Sequence, residues 1–282
     1  MSWFEALIAG VIQGLTEFLP ISSSGHLVMY GELTGSGGED ESNLAFTIFL
    51  HFATLLAVIL VYRKDVWALL KELGGTIAEL FKGKKPDMSS PGRRYLLMVI
   101  IGTIPAVIVG GGLKVLDLDS ILDNIFIVAV MLIVTAVFMF LIDRMKDGEY
   151  TAKDAPYKSA WLVGIIQGIA ILPGLSRSGS TIFAGVLGKL KKEFAVRFAF
   201  ILSIPTILGA ALVEFYGMAK TGVAIESTGN MVIGFIAAFI CGILAIKFIK
   251  VLVNTKKFWI FGIYCCCASI FAFLLAFGVI GA

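Results

Sequence analysis

The chain has 282 residues, of which 58% are hydrophobic and only 15% are charged, with a mean hydropathy of +0.94 and a formal net charge of +3. Soluble domains average about 45–50% apolar and about 25% charged residues, so this composition excludes a soluble globular domain and indicates a polytopic membrane protein. The four cysteines lie within apolar stretches and lack the spacing of a zinc site or of a disulfide framework.

Six apolar stretches are long enough to cross a hydrocarbon core of about 30 Å, which takes about 17–25 helical residues. They predict transmembrane helices over residues 45–62, 95–115, 125–142, 196–216, 231–249 and 258–280. Residues 65–82 alternate apolar and charged side chains with helical spacing, which predicts an amphipathic helix on the membrane surface.

Two further apolar regions, residues 3–33 and 158–190, are interrupted at their centres by Leu-Pro and by a cluster of serine and glycine. A broken helix is tolerated at membrane depth only where protein or a water-filled cavity covers the freed backbone groups. Each arm of the second region is also only about half as long as a membrane-spanning helix. We therefore predict that both regions are re-entrant helix-loop-helix hairpins.

The predicted order is a hairpin and three spans, followed by a second hairpin and three more spans. A hairpin returns to the side from which it enters, and three is an odd number, so the second half begins on the opposite side of the membrane from the first. This predicts an inverted-topology repeat, with residues 1–145 as the first repeat and 146–282 as the second. The predicted fold class is an all-α polytopic membrane protein.

The distribution of basic residues orients this topology. On the predicted topology, 20 of the 23 Lys and Arg residues fall on one side of the membrane. The positive-inside rule makes that side cytoplasmic. We therefore expect a multi-pass plasma-membrane protein in which both termini, and the mouth of the first hairpin, face outward.

The breaks of the two hairpins carry related sequences. The first, from Gln13 to His26, reads QGLTEFLPISSSGH, and the second, starting 154 residues later at Gln167, reads QGIAILPGLSRSGS. Glu17 and His26 have no ionisable counterpart in the second copy, whereas Arg177 of the second copy stands opposite a serine of the first. An ionisable group inside a membrane costs at least about 2.5–3.5 kcal/mol on insertion scales, so such residues usually mark a functional site.

The turn that opens the second arm of each hairpin combines backbone N–H groups, the positive end of a helix dipole and hydroxyl groups, which together bind phosphate. If the hairpin tips meet, the guanidinium of Arg177 faces the same phosphate. Taken singly, the serines can instead bond to nearby carbonyls or pack helices. The candidate substrate-binding residues are Gln13, Ser22, Ser24, Gly25, Ser176, Ser178 and Gly179.

Ser23 and His26 are three residues apart and share one helix face. Two kinds of nucleophile are open: a serine activated by a neighbouring histidine base, or a histidine that attacks phosphorus directly. Glu17 can orient the imidazole or, with Gln13, ligate Mg²⁺ or Ca²⁺ through oxygen atoms. The second histidine, His51, lies in the middle of a span and can line the same cavity, but we favour its interpretation as a hydrogen-bonded packing residue.

The stretches from Gln13 to His26 and from Pro173 to Thr181 resemble the two signature motifs of the undecaprenyl-pyrophosphate phosphatases, also called the bacitracin-resistance family. In length, span order and motif position the resemblance covers essentially the whole chain. It implies an integral membrane phosphatase that removes the terminal phosphate of undecaprenyl diphosphate on the outer side of the membrane, with the aid of a divalent cation. That reaction recycles the lipid carrier used in cell-wall and glycan assembly.

The resemblance also implies roles for individual residues. The family's essential residues correspond by motif position to Glu17, Ser23, His26 and Arg177, and Glu17 is the implied metal ligand. Many members have Glu at the position of Gln13, although the family pattern permits Gln.

An alternative function belongs to a different class, because inverted repeats with helices broken at the midplane are also transporter architecture. A secondary transporter or flippase of polyprenyl phosphate needs a phosphate cradle but no nucleophile, so Ser23 and His26 beside Glu17 favour the enzyme. The expected partners are the lipid substrate and the bilayer. Nothing in the sequence predicts a nucleic-acid partner, and a homodimer is one assembly open to the chain.

Overall fold

The computed structural model describes residues 2–34, 41–87, 90–115, 124–221 and 228–280. Over these ranges the secondary structure is helical, apart from one isolated bridge between Tyr150 and Leu190. The helices are α1 Trp3–Phe18, α2 Ser23–Thr34, α3 Glu41–Val61, α4 Arg63–Phe81, α5 Pro91–Val115, α6 Ile125–Arg144, α7 Tyr157–Ile169, α8 Arg177–Leu187, α9 Lys192–Thr221, α10 Thr228–Leu252, a short 3₁₀ helix Val253–Thr255, and α11 Trp259–Ala276.

Five helices in the described ranges are long and apolar enough to cross a membrane, namely α5, α6, α9, α10 and α11. A sixth span results if α3 and α4, which meet at a bend of 86°, are taken together. The six predicted spans therefore correspond to α3, α5, α6, α9, α10 and α11. The prediction of an all-α polytopic membrane protein is confirmed.

One face of α10 illustrates how these helices meet lipid. Five branched or aromatic residues recur on it every four positions, and each exposes between 50% and 56% of its surface: Val232, Ile236, Ile240, Leu244 and Phe248. Residues four apart lie on the same side of a helix. A continuous exposed apolar stripe of this kind suits the hydrocarbon core, where contact with lipid tails costs nothing.

Helix α4 corresponds to the amphipathic helix predicted over 65–82. None of its residues is buried, and its apolar residues Trp67, Leu70 and Phe81 are exposed. It is tied to the start of α5 by Arg93, whose Nη2 lies 2.6 Å from Oε1 of Glu79. The helix itself is confirmed, and its position on the membrane surface stays a prediction.

The two interrupted regions form helix-turn-helix hairpins, α1 with α2 and α7 with α8. The hairpin of each half packs against the middle span of the other half, because α1 lies along α10 and α7 lies along α5. Glycines allow both close approaches: a Cβ on Gly10 would collide with the carbonyl oxygen of Gly234, and one on Gly164 with that of Gly102. Gly10 and Gly164 occupy matching positions, 154 residues apart.

This reciprocal packing is what two repeated units of one hairpin and three spans would produce. Two further pairs, α6 with α11 and α3 with α9, join matching spans of the two halves. The division into residues 1–145 and 146–282, and the opposite orientation of the two units in the membrane, stay predictions.

Segments that the topology assigns to the cytoplasm lie together at one end of the bundle. The backbone N–H of Tyr150, between α6 and α7, donates to the carbonyl of Lys189 beyond α8 at 3.1 Å. The N–H of Trp259 at the start of α11 donates to Asp143 at the end of α6 at 2.7 Å. This grouping agrees with the predicted parity, and which side of the membrane this end faces stays a prediction.

Candidate active site

The tips of the two hairpins meet inside the bundle. The hydroxyl of Ser178 donates to the carbonyl oxygen of Leu19 at 3.2 Å. A Cβ on Gly25 would lie 3.1 Å from the Cα of Gly174, so glycine on both sides permits the contact. The carbonyl of Leu19, freed where α1 ends, thus has a protein partner, as membrane depth requires. The two sequence motifs therefore form one site.

The carboxylate of Glu17 is the centre of this site. It is 5% exposed, and its Oε2 accepts hydrogen bonds from Nε2 of Gln13 at 2.9 Å and from the hydroxyl of Ser23 at 2.8 Å. Its Oε1 forms an ion pair with Nη2 of Arg177. A buried charge needs such a partner, because an uncompensated one is strongly destabilising. The structure thus brings four of the predicted residues into direct contact.

The local sequence explains this convergence. Gln13 and Glu17 are one turn apart on α1, while Ser23 and Arg177 are the first residues of α2 and α8. The N-terminal ends of two helices therefore face the same carboxylate, and each end carries a partial positive charge. Such an arrangement also suits the oxygen atoms of a phosphate group.

The imidazole of His26 is held by groups other than Glu17. Its Nδ1 lies 2.6 Å from the carbonyl oxygen of Ser22, and its Nε2 lies 2.7 Å from the hydroxyl of Tyr264. The Tyr264 ring also stacks on the imidazole, with ring centroids 5.6 Å apart. Because a carbonyl only accepts, Nδ1 carries the hydrogen, and in the neutral ring Nε2 has the free electron pair.

The predicted alternatives for Ser23 and His26 can be compared with this geometry. The hydroxyl of Ser23 donates to Glu17, and the two ring nitrogens of His26 contact Ser22 and Tyr264. Glu17 is therefore placed to accept the proton of Ser23. The electron pair on Nε2 of His26 is a second potential base or nucleophile, and it has no hydrogen bond with Ser23 or Glu17.

Six of the candidate substrate-binding residues build matched caps on α2 and α8: Ser22, Ser24, Gly25, Ser176, Ser178 and Gly179. The hydroxyl of Ser22 accepts from the N–H of Gly25 at 3.2 Å, and that of Ser176 accepts from the N–H of Gly179 at 3.1 Å. In each cap the second serine lies within 3.3 Å of the first. These groups already have hydrogen-bond partners, so their first role is to shape the tips. Ser24 is the exposed member.

The fit of a divalent cation can be judged from the oxygen atoms present. Oε1 of Gln13 is buried beside Glu17 without a hydrogen-bond partner, and amide and carboxylate oxygens are ligands that Mg²⁺ and Ca²⁺ accept. Both oxygens of Glu17 already have partners, one of them cationic. Within the described ranges, no group of three or more His, Cys, Asp or Glu residues is arranged so that it could hold a metal ion. The residues therefore fit a cation that takes its remaining ligands from substrate phosphates, as Mg²⁺ often does.

Two polar residues of the site carried no signal in the sequence. Tyr264 comes from the last span, where an aromatic residue is unremarkable. Thr135 of α6 anchors the second tip, since its hydroxyl donates to the carbonyl of Gly174 at 3.2 Å and accepts from the N–H of Ser176 at 3.0 Å. Only the three-dimensional packing of α6 and α11 around the hairpins reveals them.

His51 bonds as the sequence interpretation expects, with Nδ1 2.9 Å from the carbonyl oxygen of Thr47 one turn earlier. It also lies within electrostatic range of the carboxylate of Glu17. The second copy of the motif lacks a comparable base, because the residue that matches His26 is Ser180. Ser180 is buried, and its hydroxyl has no hydrogen-bond partner. The histidines therefore make the site asymmetric.

Comparison with known proteins gives a consistent result. The family model described as bacitracin resistance protein BacA matches residues 6–271. Curated proteins named undecaprenyl-diphosphatase are similar over nearly the whole chain. That of Methanobrevibacter smithii is 39% identical over 97% of this chain and 98% of its own length. That of Methanosphaera stadtmanae is 38% identical over 96% and 97%, and that of Christiangramia forsetii is 38% identical over 98% and 99%.

Proposed function

The chain belongs to the bacitracin resistance protein BacA family, and on that premise we propose that it hydrolyses undecaprenyl diphosphate to the monophosphate and inorganic phosphate. Relatives named undecaprenyl-diphosphatase match this chain over 97–99% of their own length. The single observation that supports this most is the junction of the hairpins, where Glu17 contacts both a hydroxyl nucleophile and a guanidinium. The product would return to cell-envelope glycan synthesis as a lipid carrier.

Arg177 is the group that we expect to bind the diphosphate. Its side chain is 26% exposed, whereas that of its partner Glu17 is 2% exposed, so a substrate meets the guanidinium before it meets the carboxylate. A guanidinium has five N–H donors in a fixed fork, which suits phosphate oxygens. Arg177 uses Nη2 for Glu17 and can offer other N–H groups to the substrate. The N-terminal ends of α2 and α8 add favourable dipoles.

The hydrogen bond from Ser23 to Glu17 favours Ser23 as the nucleophile and Glu17 as its base. The hydroxyl oxygen attacks the terminal phosphorus, its proton passes to Glu17, and the bond to the bridging oxygen breaks as undecaprenyl monophosphate leaves. Water then attacks the phosphorus of the phosphoserine, the bond to the serine oxygen breaks, and the proton held by Glu17 returns to that oxygen, so phosphate is released and the hydroxyl is restored. His26 can take the proton from that water through Nε2.

Direct attack by His26 is the second route open to the same residues. The electron pair on Nε2 is available once the hydroxyl of Tyr264 gives way, and the intermediate is then a phosphohistidine. In that case Ser23 is a phosphate ligand. The two routes differ in which residue carries the phosphoryl group.

A divalent cation, Mg²⁺ or Ca²⁺, is the cofactor that we propose. Its ligands from the protein would be the carboxylate of Glu17 and Oε1 of Gln13, which is buried without a hydrogen-bond partner. When bound, a cation of this kind neutralises charge on a phosphoryl group. Because the chain offers few ligands, we expect the cation to bind together with the diphosphate.

The membrane arrangement that we propose has both termini outside and a site that opens to the outer face of the plasma membrane. It is supported by the concentration of Lys and Arg on the opposite side. The partners are the polyprenyl diphosphate and the bilayer, and a homodimer remains one assembly open to the chain. The observation that supports the alternative function, a transporter or flippase of polyprenyl phosphate, is the reciprocal packing of the two hairpins.

Phosphate release from undecaprenyl diphosphate by detergent-solubilised protein, with and without a chelator, tests the enzyme. We expect release by the wild type, loss with chelator, and a decrease of at least about a hundredfold for both Ser23→Ala and His26→Ala. A trapped phosphohistidine in an active Ser23→Ala variant would make His26 the nucleophile. If the wild type releases no phosphate with any divalent cation but moves polyprenyl phosphate across liposome bilayers, the proposed phosphatase function is wrong and the protein is a transporter.

A further inference from the structure

A polar cavity outside the candidate active site lies where α6 ends, where α9 begins and where the 3₁₀ helix follows α10. Its volume is about 590 Å³. None of its lining residues belongs to either hairpin motif. Its six cationic residues come from three separate stretches of the chain: Lys146, Lys153, Lys191, Lys192, Arg197 and Lys256.

The acidic groups of this cavity do not balance its lysines. The lining contains two carboxylates, Asp147 and Glu193. Oδ1 of Asp147 accepts the backbone N–H groups of Gly148 at 3.0 Å and of Lys192 at 2.8 Å, so it serves to fix the chain at the start of α9. Arg197 forms an ion pair with Asp65 of α4. Five lysines therefore face a cavity with an excess of positive charge.

Lys192 is the residue that points to a ligand. It is only 6% exposed, and its Nζ is buried without a hydrogen-bond partner. The carboxylates of Asp143 and Asp147 attract it electrostatically, but neither accepts a hydrogen bond from it, and Oδ1 of Asp143 is likewise buried without a hydrogen-bond partner. A buried ammonium without a bonded partner is costly. Lys192 therefore has an unused hydrogen-bonding capacity at the wall of this cavity.

The surroundings of Lys192 specify the chemistry of that anion. Lys192 is the first residue of α9, a helix of 30 residues whose positive end faces the cavity. Several ammonium groups around one cavity suit the three or four oxygen atoms of a phosphoryl group better than a single carboxylate. Apolar side chains of Met145, Phe194 and Val253 line the same space, and basic pockets between transmembrane helices accept the headgroups of anionic lipids.

We infer that this cavity binds a phosphoryl anion, supplied either by free phosphate or by the headgroup of an anionic membrane lipid. The ammonium of Lys192 is its central donor, and the exposed lysines at the rim draw the anion in. The inference concerns residues outside the catalytic site, so it does not depend on the proposed function.

The test compares two lysine variants of the full-length protein in detergent. Lys192→Met keeps the aliphatic volume and removes the charge, and the control Lys158→Met removes an exposed charge that does not line the cavity. The probes are inorganic phosphate, phosphatidylglycerol and, as a lipid without net charge, phosphatidylcholine, with binding followed by native mass spectrometry and thermal shift. Binding of a probe at the candidate active site should be the same in both variants, because neither substitution lies in that site.

We expect Lys192→Met to weaken binding of at least one anionic probe by at least about tenfold, the effect of losing one charged hydrogen bond, and Lys158→Met to leave it unchanged. A Lys192-dependent affinity for phosphatidylglycerol alone identifies a lipid headgroup, and one for inorganic phosphate alone identifies free phosphate. Equal affinities of the two variants for both probes would overturn the inference.

A second variant guards against misfolding of Lys192→Met. Lys146 and Lys153 line the same cavity but are exposed, so the double substitution Lys146→Gln and Lys153→Gln removes two rim charges without disturbing the interior. We expect it to weaken the same probe severalfold and to reduce the salt dependence of binding. Unchanged binding in this variant would also contradict a phosphoryl site.

Discussion

Two hydrogen positions determine the chemistry available to single residues in this site. The hydrogen of Ser23 points to Glu17, and the hydrogen of the His26 ring points from Nδ1 to the carbonyl of Ser22. In the proposed serine route the first bond couples the nucleophile Ser23 to the base Glu17, and the second fixes the tautomer in which Nε2 carries the electron pair. The hydroxyl of Tyr264 lies 2.7 Å from this Nε2.

We therefore predict that Tyr264 positions the imidazole of His26, and the substitution Tyr264→Phe tests this prediction. The ring that stacks on His26 is kept and only the hydroxyl is lost. We expect kcat for phosphate release to fall by about three- to tenfold, the effect of one hydrogen bond, with KM almost unchanged.

The control for this prediction is Tyr157→Phe, which removes a tyrosine hydroxyl at the far end of the bundle, where the ring lies under the guanidinium of Arg94. It should leave both kcat and KM as in the wild type. A rise in KM without a change in kcat for Tyr264→Phe would mean that the hydroxyl contacts the substrate rather than His26.

Gln13 offers a test of the proposed cation. The substitution Gln13→Glu places a second carboxylate one turn from Glu17, and the affinity of a protein for Mg²⁺ or Ca²⁺ rises with the charge of its ligands. We expect the cation concentration that gives half-maximal phosphate release to fall by about tenfold. Calorimetric titration of the cation in the absence of lipid should show the same direction.

The matched control is Gln167→Glu at the same position of the second hairpin. There the residue that corresponds to Glu17 is Ile171, so the added carboxylate has no partner with which to hold a cation. An equal gain in cation affinity from both substitutions would show that Gln13 and Glu17 do not form the cation site.

At the level of elements, the sequence predicts the helices well but their ends less well. The prediction continues the last span to residue 280, whereas α11 ends at Ala276. Gly278 has a φ of 64°, and the N–H groups of Gly278 and Val279 bond back to Leu275 and Leu274, each at 2.9 Å. This is a Schellman motif, in which glycine ends a helix although the apolar sequence continues.

Which helices pack against each other could not be predicted from the sequence, and the reason is physical. Hydropathy shows which segments leave water, but lipid tails are as apolar as a neighbouring helix, so it carries no information about partners. The contact between α1 and α10 depends on Gly10 and Gly234, two of 31 glycines in the chain. By contrast, the meeting of the hairpin tips could be anticipated, because the charge of Arg177 needs a partner such as Glu17 within the membrane.

The turn of the second hairpin gives a prediction at this scale. Gly174 has a φ of 86°, and a Cβ there would collide with the backbone of Val128 on α6. Gly174→Ala should cost about 1–2 kcal/mol for the left-handed conformation and about 1–3 kcal/mol more for overpacking. Thermal unfolding in detergent measures the loss.

Gly83→Ala is the matched control, because Gly83 has a φ of 67° but nothing lies within 4 Å of an added Cβ. It should show only the conformational part of the cost. Equal decreases in melting temperature for the two variants would mean that Val128 moves away without penalty and that the tip is not tightly packed against α6.

At the scale of the whole molecule, the reciprocal packing of the hairpins and the grouping of the loops do not determine the orientation in the membrane, that is, which end faces the cytoplasm. The bundle end that joins Tyr150 to Lys189 and Trp259 to Asp143 also contains the lysine-lined cavity. The positive-inside rule assigns this end to the cytoplasm. If this assignment is right, we expect the candidate active site and the lysine-lined cavity to open to opposite sides of the membrane.

Labelling of single cysteines in a cysteine-free background tests this arrangement. We expect cysteines at Thr34 and Val279 to react with an impermeant reagent from outside intact cells, because the first hairpin and α11 both end on the outer side. Cysteines at Lys84 and Lys257 should react only after permeabilisation. If all four positions behave in the opposite way, the orientation is wrong and the active site faces inward. If only Val279 and Lys257 are reversed, each half has the same orientation, and the inverted repeat is excluded even though the hairpin tips meet.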